Sequence, residues 1–460
     1  MNWLRLNTGL VVTLGLLNSK EAQWKPLSDL TLQRIRIKMK ALSKKVFMKK
    51  ATIFWLCAMS MGMALAQKTS ITVAAFPAVD DIVKAALQEW QKKNPHVEVK
   101  VVGREYADHH TAMTTALATS TGLPDVMTIE YGYLGRFAQS GGLEDLAKAP
   151  YQIGQHASKM VPYALAQGRS ATHGQVAVPT DIGPGAMFYR HDVLAKAKVK
   201  ESDLTQSWES FIQSGQKIKK ESGAYLVAHA RDVKDIVIRT GIPAGHGVYF
   251  DDQGKSVIDT SPRFKRGFEI AQQIRAQGLD AKINAWSNEW GESLKRGTVS
   301  VQMMGAWLGG HLQNWLAPNT SGLWRSTVLP ERIATSWGGT FYAIPKKAVN
   351  KELAWDLIQH LTLNSKQQQM AFEKFNAFPA LIEAQNGEFF NQPVAFLGGQ
   401  KARLDWKNTT AQIKPTMVFK HDSVAEEIVN AELDLVLTKN KPIDQALKDA
   451  HRLVQRRSSR

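Results

Sequence analysis

The hydrophobic pattern near the beginning of the chain changes its period from element to element. Where apolar residues recur at helical spacing we predict a helix, and where valines alternate with polar residues we predict a half-buried strand. By these rules the sequence predicts strand 70–75, helix 78–93, strand 97–101, a helix capped by Asp108 and ending at Thr119, and strand 125–129. This β-α-β-α-β order favours an α/β fold, in which a mostly parallel sheet is flanked by helices.

Strand-like and helical patterns continue to alternate along the rest of the chain. Residues 175–179 and 186–189 are predicted to be extended, with a glycine-rich turn at 180–185 between them. Ser207 is expected to cap a helix over residues 208–220. Further strands are predicted at 299–304 and 338–344, and further helices at 354–362, 424–437 and 442–455.

Residues 48–66 have the three parts of a secretory signal peptide. A basic start at 48–50 precedes an apolar run at 51–63, and a small-x-small cleavage site ends at Ala66. The apolar run is too short to cross a bilayer as a stable helix. We therefore predict cleavage after Ala66, and we interpret residues 1–47 as an upstream leader that results from a start codon assigned too early.

The single cysteine, Cys57, lies within this apolar run. A lipidation site has small residues before the cysteine, whereas Phe54, Trp55 and Leu56 precede this one. The sequence therefore predicts an exported, unlipidated protein, most simply in a periplasm. Beyond Ala66 the chain has no thiol, which excludes disulfides and cysteine-ligated metal sites there.

The net charge of +17 overstates the basicity of the exported part, because much of the excess lies in residues 1–66. Beyond them, lysines and arginines are scattered among acidic residues, and they form no basic stripe interleaved with aromatic residues. This pattern argues against nucleic acid as a partner. The length exceeds what a single core usually supports and indicates about two domains.

Motifs for catalysis and for metal binding are missing or incomplete in the sequence. It has no His-Glu-x-x-His, Gly-x-Ser-x-Gly or phosphate-loop motif, so we predict no catalytic residue and no cofactor. His109 and His110 would point about 100° apart on a helix, which favours a solvated helix face over a metal site. Residues 251–254 lack the further ligands of an EF-hand and are predicted to form a turn, so no metal is expected.

A first group of candidate binding residues follows the third predicted strand. Glu130, Tyr131 and Tyr133 stand where this strand ends and a helix begins. In open α/β sheets, ligands bind at the carboxyl ends of the strands. We therefore expect this carboxylate and these phenols to face a ligand.

A second group combines tryptophans, glycines and an acid. Trp307 lies in a glycine-rich segment, Trp337 precedes Gly338 and Gly339, and Asp181 lies in the predicted turn at 180–185. An indole beside glycines can be approached by a flat ligand, and sugars stack their C–H faces on aromatic rings while carboxylates accept their hydroxyl hydrogen bonds. The alternative is that both tryptophans are ordinary core residues.

Four stretches of the chain resemble the extracellular solute-binding proteins of ATP-driven importers, in the branch that includes the maltose-binding proteins. Their order along the chain is that of the family, and together they span nearly all of the predicted exported part. They are residues 122–126 with 137–143, residues 176–181 with 188–192, residues 295–307, and residues 337–339 with 343–345 and 354–355.

The resemblance implies a two-lobed periplasmic-binding-protein fold. Each lobe is a mostly parallel sheet flanked by helices, and the ligand cleft lies between them and closes about a hinge. We place lobe 1 at 67–180 plus 340–378 and lobe 2 at 181–339 plus 379–460. Matching positions imply a ligand site formed by Glu130, Tyr131, Tyr133, Asp181, Trp307, Trp337, Gly338 and Gly339.

The function implied by the resemblance is capture without catalysis. A monomer would bind a sugar or oligosaccharide and deliver it to membrane permease subunits of an ABC importer. Two departures from the family leave the sugar undetermined, namely Tyr133 where many relatives have tryptophan and the apolar loop at 76–78. The net positive charge also leaves room for an acidic sugar such as a uronate oligomer.

Two alternatives to sugar capture stay open. The same fold could bind a polyamine, a phosphodiester, a metal complex or a peptide, and clustered acids or arginines in the cleft would favour this. A secreted carbohydrate-active enzyme would instead need two carboxylates placed across a scissile bond.

Overall fold

The computed structural model describes residues 69–170 and 172–458. The predicted leader at 1–47 and the predicted signal peptide at 48–66 lie outside the described residues, and both stay predictions. Within the described part of the chain, no helix is long and apolar enough to cross a membrane.

Strands recur along the described chain as far as Ala343, and they confirm the predicted alternation of strand and helix there. In chain order they are β1 (Thr69–Ala75), β2 (Val97–Gly103), β3 (Val126–Glu130), β4 (Arg169–Ser170), β5 (Gly174–Gln175), β6 (Val178–Arg190), β7 (Tyr225–Val227), β8 (Val299–Gly305), β9 (Trp324–Thr327) and β10 (Ser336–Ala343).

The helices occupy most of the segments between these strands and the whole C-terminal part. They are α1 (Val79–Lys93), α2 (Tyr106–Thr119), α3 (Tyr131–Ala138), α4 (Pro162–Gln167), α5 (His191–Lys196), α6 (Glu201–Thr205), α7 (Trp208–Ser222), α8 (Ala230–Ile238), α9 (Pro262–Ala276), α10 (Asn288–Arg296), α11 (Leu308–His311), α12 (Lys351–Leu363), α13 (Ser365–Phe375), α14 (Ala402–Gln412), α15 (Asp422–Lys439) and α16 (Ile443–Ser458).

Helix α1 shows how the hydrophobic pattern becomes packing. Its apolar face is buried, and at its C-terminal end the indole N–H of Trp90 donates a 2.6 Å hydrogen bond to Asp356 of α12. Burying a large aromatic ring while its N–H keeps a partner avoids the cost of an unpaired polar group. This contact connects the N-terminal elements to a helix more than two hundred residues further along the chain.

The start of α2 differs from the prediction. The helix begins at Tyr106, after Glu105, and the first helical hydrogen bond runs from the backbone N–H of His109 to the carbonyl of Glu105 at 2.8 Å. Asp108 lies in the first turn, so the predicted cap at that residue was wrong. A negative charge in the first turn still favours the positive end of the helix dipole.

Other local predictions are confirmed. The Ser207 side chain caps α7 by accepting a 3.1 Å hydrogen bond from the backbone N–H of Ser210. Residues 251–254 form the expected turn, in which Asp251 accepts hydrogen bonds from the backbone N–H groups of Gln253 and Lys255 at 3.0 and 2.8 Å.

Strand β6 overturns the prediction of a turn at 180–185. It runs without a break through Gly183, pairing antiparallel first with β10 and then with β8 and β9. A Cβ at Gly183 would overlap the carbonyl oxygen of Trp337. The glycine therefore permits two strands to approach closely, and it does not mark a chain reversal.

The strand order places β10 and β6 in the middle of the sheet. The order is β2-β1-β3-β10-β6-β8-β7, with β9 also paired to β6. Strands β1, β2 and β3 are parallel to one another, as are β7 and β8, whereas β10 and β6 run antiparallel to their neighbours. The α/β fold class is confirmed, and antiparallel pairing enters with the two central strands.

Candidate functional site

Glu130 ends β3 and caps α3, because its carboxylate accepts a 2.7 Å hydrogen bond from the backbone N–H of Gly132. The same oxygen, Oε2, accepts a 2.7 Å hydrogen bond from the Tyr106 hydroxyl. Burial raises the pKa of Glu130 to about 7, although both of these hydrogen bonds act in the opposite direction. Oxygen Oε1 is left to accept hydrogen bonds from a ligand.

His109 and His110 are completely buried, so the prediction of a solvated helix face was wrong. His110 Nδ1 lies 2.7 Å from the carbonyl oxygen of Tyr106, and Nε2 accepts a 3.1 Å hydrogen bond from the backbone N–H of Glu130. These bonds require a neutral ring that is protonated on Nδ1, and burial lowers the His110 pKa to about 4. His109 Nε2 contacts the Thr128 carbonyl at 2.8 Å. Both histidines support the end of β3.

The two tyrosines that follow Glu130 point into different surroundings. Tyr133 stacks on His110, with ring centroids 3.9 Å apart and planes inclined by 11°. The Tyr106 ring meets the Tyr133 ring edge-on, with centroids 5.7 Å apart. Tyr131 instead lines a cavity of about 520 Å³ together with Arg239 and Ser336. The structure therefore places only Tyr133 beside the Glu130–Tyr106 pair.

Asp181 joins Glu130 through the register of the central strands. Thr340 of β10 lies opposite Glu130 of β3 on one side and opposite Asp181 of β6 on the other. Residues directly opposite in an antiparallel pair project from the same face of a sheet. Asp181 Oδ1 is buried without a hydrogen-bond partner among the described residues, and burial raises the pKa of this carboxyl.

Trp307 follows β8, and its indole is held in one orientation. The indole N–H donates a 2.9 Å hydrogen bond to the carbonyl of Trp337. Glycines surround it, since a Cβ at Gly305 would overlap the indole nitrogen and one at Gly338 would lie 3.2 Å from that atom. The same Cβ at Gly338 would lie 3.5 Å from Glu130 Oε1. Gly338 thus keeps the space between carboxylate and indole open.

The remaining candidates have structural surroundings of their own. The Trp337 side chain packs in an apolar cluster, with the Arg239 guanidinium 4.6 Å from its ring centroid. Gly339 has a φ of 134°, and a Cβ there would lie 3.0 Å from the Asp181 carbonyl oxygen. The backbone carbonyl of Trp337 therefore accepts the hydrogen bond that orients Trp307. The Trp337 indole packs against an apolar cluster and Arg239 instead.

The sequence did not single out two further tryptophans, of which one stacks on Trp307 and the other stacks on the first. Trp286 is 54% exposed and stacks on Trp307 with centroids 5.9 Å apart, and Trp315 is 55% exposed and stacks on Trp286 at 6.5 Å. Trp307, His311 and Trp315 follow one another at four-residue spacing, a signal that was present in the sequence. Trp286 contacts Trp290 four residues further along, with ring centroids 5.1 Å apart, but its stacking on Trp307 joins separate elements and has no signal in the local sequence.

Acidic groups dominate the electrostatics around Glu130. The charged groups whose proximity raises its pKa are Glu426 and Asp181. Within the described residues there is also no group of three or more His, Cys, Asp or Glu side chains that could hold a metal ion. The arrangement offers hydrogen-bond acceptors and aromatic faces to a ligand.

Comparison with known proteins decides the family. Residues 85–398, well over half of the chain, match the family described as bacterial extracellular solute-binding protein. The chain belongs to this family. The resemblance read from the sequence is thereby confirmed, and the family and its relatives are binding proteins.

Individual relatives of this solute-binding protein agree with that assignment. A lactose-binding protein of Rhizobium radiobacter is 26% identical over 383 residues, covering 80% of this chain and 87% of the relative. A crystal structure of an extracellular solute-binding protein of family 1 superposes with a TM-score of 0.74 at 21% identity, covering 84% of this chain and 99% of that one.

A second solved structure contains a sugar. The ABC transporter associated binding protein of B. animalis subsp. lactis Bl-04, in complex with β-1,6-galactobiose, has a TM-score of 0.70 at 21% identity and covers 84% of this chain and 96% of that one. Similarity of this extent shows a shared fold, which confirms the α/β fold of solute-binding proteins. The lobe boundaries and the site residues stay predictions.

The raised pKa of Glu130 predicts how the stability of this solute-binding protein depends on pH. The folded-state pKa of about 7 exceeds the ordinary value of 4.5. The neutral carboxyl therefore contributes stability that is complete below about pH 4.5 and is lost as pH rises through about 7. We expect the thermal midpoint of the ligand-free parent protein, measured relative to that of Glu130→Gln, to decrease between about pH 5 and about pH 8.

A matched control separates this effect from the general loss of glutamate charge. Glu98 is exposed on β2, so Glu98→Gln should keep the pH dependence of the parent protein. If the thermal midpoint changes between about pH 5 and about pH 8 by the same amount in Glu130→Gln as in the parent protein, Glu130 titrates in the folded protein as it does in water.

Proposed function

We propose that this solute-binding protein captures a neutral sugar or oligosaccharide in the periplasm and delivers it to the membrane permease of an ABC importer. The lactose-binding relative and the galactobiose-bound neighbour support a sugar as the ligand. The galactobiose-bound protein is named as associated with an ABC transporter, which supports delivery of the captured sugar to such a transporter.

The observation that carries this proposal is the pairing of Glu130 with Trp307 across Gly338. The indole is fixed by its bond to the Trp337 carbonyl and can accept the C–H face of a sugar ring. Glu130 Oε1 can accept a hydroxyl hydrogen bond at the edge of the same ring. Gly338 supplies the space, because any side chain there would approach both groups.

Capture would proceed by hinge closure. Glu130 ends β3 in the predicted lobe 1, and Trp307 follows β8 in the predicted lobe 2, while β6 and β10 connect these two sets of strands. A ligand that contacts both sides binds the closed state more tightly than the open state and therefore shifts the population toward closure.

The charges around the site favour a neutral sugar over a uronate. Glu130 and Asp181 both have raised pKa values because burial disfavours their charged forms. A sugar carboxylate placed beside them would bring negative charge into a site where burial already disfavours it. We propose that no bond of the sugar is broken, in keeping with a family of binding proteins.

A polyamine is the second candidate ligand. Aromatic faces together with carboxylates also suit an organic cation, which gains from cation–π contacts and from charge pairing. Binding of a polyamine can be distinguished from binding of a neutral sugar by its dependence on salt. The affinity for a cation would fall steeply as the ionic strength rises, because salt screens charge pairing.

A thermal-shift screen of residues 67–460 tests the proposal. Neutral sugars, uronates, polyamines and phosphate esters are compared, since a ligand at about 100 times its Kd adds about 2.7 kcal/mol of stability and moves the midpoint by a few degrees. We expect a shift with a class of neutral sugars, and no released product after incubation with it. A shift with polyamines or phosphate esters alone would refute sugar capture.

A further inference from the structure

We infer that a second cavity, at the far end of α3 from Glu130, binds a small polyanion such as a diphosphate or a tricarboxylate. This polyanion cavity has a volume of about 500 Å³ and is lined by parts of the loop between Phe250 and Ser256, of the segment 419–421 and of the last turns of α16. Its volume lies in the range of small-molecule sites. The inference does not depend on sugar capture, because it concerns residues that sugar capture does not use.

The polyanion cavity is separate from the group formed by Glu130 and Trp307. Gln139, which lines the cavity, directly follows α3, whereas Glu130 directly precedes that helix. The 8 residues of α3 span about 12 Å along the helix axis. None of the candidate sugar-binding residues lines this cavity. A ligand here would therefore contact a different set of side chains from a sugar on Trp307.

The charged side chains that line the polyanion cavity are basic. Lys255, Lys420 and His421 line it, and no aspartate or glutamate of the described residues does. Both lysines are exposed, and neither ammonium group forms a salt bridge to a carboxylate in the part of the chain that the structure describes. Unpaired ammonium groups on two walls of one cavity can both donate charge-assisted hydrogen bonds to the same anion.

The titration of His421 indicates a positive potential on this side of the cavity. Burial lowers the pKa of His421, and the neighbouring charges of Lys420 and Arg136 lower it further. Nearby cations oppose the protonation of an imidazole, and for the same reason they stabilise an anion placed beside it. The potential therefore agrees with the charges of the lining residues.

Ser256 adds a buried hydrogen-bond donor to the lining. Its side chain belongs to a residue that is only 5% exposed, and its Oγ lies 3.2 Å from His451 Nδ1. The same Nδ1 lies 2.9 Å from Oδ1 of Asp259. An ionised Asp259 can only accept, so Nδ1 carries the hydrogen and Ser256 Oγ acts as a further acceptor for it. The hydroxyl hydrogen of Ser256 is then available to a ligand in the cavity.

Close packing fixes the segment at Phe419, which precedes two of the basic residues. A Cβ at Gly135 would overlap the Phe419 carbonyl oxygen, and a Cβ at Gly247 would lie 2.7 Å from the Phe419 ring. The rings of Phe250 and Phe419 lie with centroids 5.5 Å apart, and the backbone N–H of Phe419 donates a 2.7 Å hydrogen bond to Asp422. Walls that are ordered before binding lose little conformational entropy when a ligand enters.

Calorimetric titration of residues 67–460 with pyrophosphate and, separately, with citrate tests the inference, at low ionic strength and without divalent cations. We expect saturable binding of at least one of the two anions at one site per chain, with an affinity that falls as sodium chloride is added, because salt screens the charges. The double variant Lys255→Gln/Lys420→Gln should weaken this binding about tenfold or more, since it removes two charge-assisted hydrogen bonds. The two titrations distinguish phosphate from carboxylate as the preferred group.

Lys217→Gln is the matched control, because it removes the same charge from an exposed lysine on α7, away from the lining residues. It should keep the anion affinity of the parent protein. If the double variant loses its circular-dichroism spectrum, Lys255→Gln and Lys420→Gln are titrated separately. Binding of neither anion, binding that the lysine variants retain, or an equal loss in Lys217→Gln would overturn the polyanion site. Each of these results would leave sugar capture standing, since the thermal-shift screen tests it independently.

Discussion

Trp307→Ala is expected to weaken sugar binding roughly 5- to 150-fold, a loss of about 1–3 kcal/mol, while the protein still folds. The indole is half-buried and ordered by its hydrogen bond to the Trp337 carbonyl. Its truncation removes the surface on which a ring would stack, and it opens space next to the ligand, where solvent can enter. Isothermal titration with the sugar found by thermal shift measures the loss directly.

Trp307→Phe provides the matched comparison. Phenylalanine keeps an aromatic face but cannot donate to the Trp337 carbonyl, so the ring loses its fixed orientation. We expect an affinity between those of the parent protein and Trp307→Ala. If Trp307→Ala binds as tightly as the parent, the indole does not contact the ligand. If it fails to fold, Trp307 is a core residue.

Gly183→Ala is expected to lower the free energy of unfolding by about 3 kcal/mol or more, because a Cβ at this position overlaps a backbone atom that cannot rotate away. The overlapping atom is the carbonyl oxygen of Trp337 in β10, and the indole nitrogen of Trp307 would lie 2.9 Å from the new carbon. One of the two central strands must therefore move. The bond that orients Trp307 moves with it, so sugar affinity should fall together with stability.

Gly154→Ala is the matched control for this substitution. Nothing lies within 4 Å of a Cβ at Gly154, and its φ is outside the left-handed region, so the change should stay within about 0.5 kcal/mol. Urea unfolding followed by tryptophan fluorescence compares the two variants. A Gly183→Ala protein as stable as Gly154→Ala would show that β6 and β10 can separate without cost.

The sequence predicted the elements of the fold well wherever the periodicity was regular. The helix of α1 and the strands β1, β2, β3 and β8 were placed within one or two residues, because one buried face imposes a period of 3.6 or 2 on the apolar positions. The segment at 180–185 was misread. Glycine and proline mark turns in most sequences, but here Gly183 allows close contact between two strands that are distant in the chain.

The candidate site was predicted only in part. Glu130 and Asp181 lie opposite Thr340 on the central strands, and Gly338 lies between Glu130 and Trp307, while their role as a ligand site stays a prediction. Tyr131 instead lines a cavity together with Arg239, and the Trp337 ring contacts the Arg239 guanidinium. Whether a side chain at the end of a strand turns to one neighbour or another depends on packing partners that a local pattern does not contain.

The histidines illustrate the same limit. Adjacent positions on a helix point in different directions, which made a solvated face the simpler interpretation of His109 and His110. In the folded chain the end of β3 and the ring of Tyr133 cover them, and backbone groups of Tyr106, Thr128 and Glu130 satisfy their nitrogens. Burial of a polar ring depends on whether such partners arrive, and they arrive only with the tertiary fold.

By itself, the sequence determined the alternation of strands and helices, the α/β class and the family, because these depend on periodicity and on short motifs whose order is preserved along the chain. The tertiary structure alone decided which aromatic rings face one another. Trp286 and Trp307 are separated by a helix and a strand, and their stacking follows from the path of the chain through β8. Contacts between residues distant in sequence are set by the packing of whole elements, so the four-residue spacing of Trp307, His311 and Trp315 did not reveal that Trp286 stacks on Trp307.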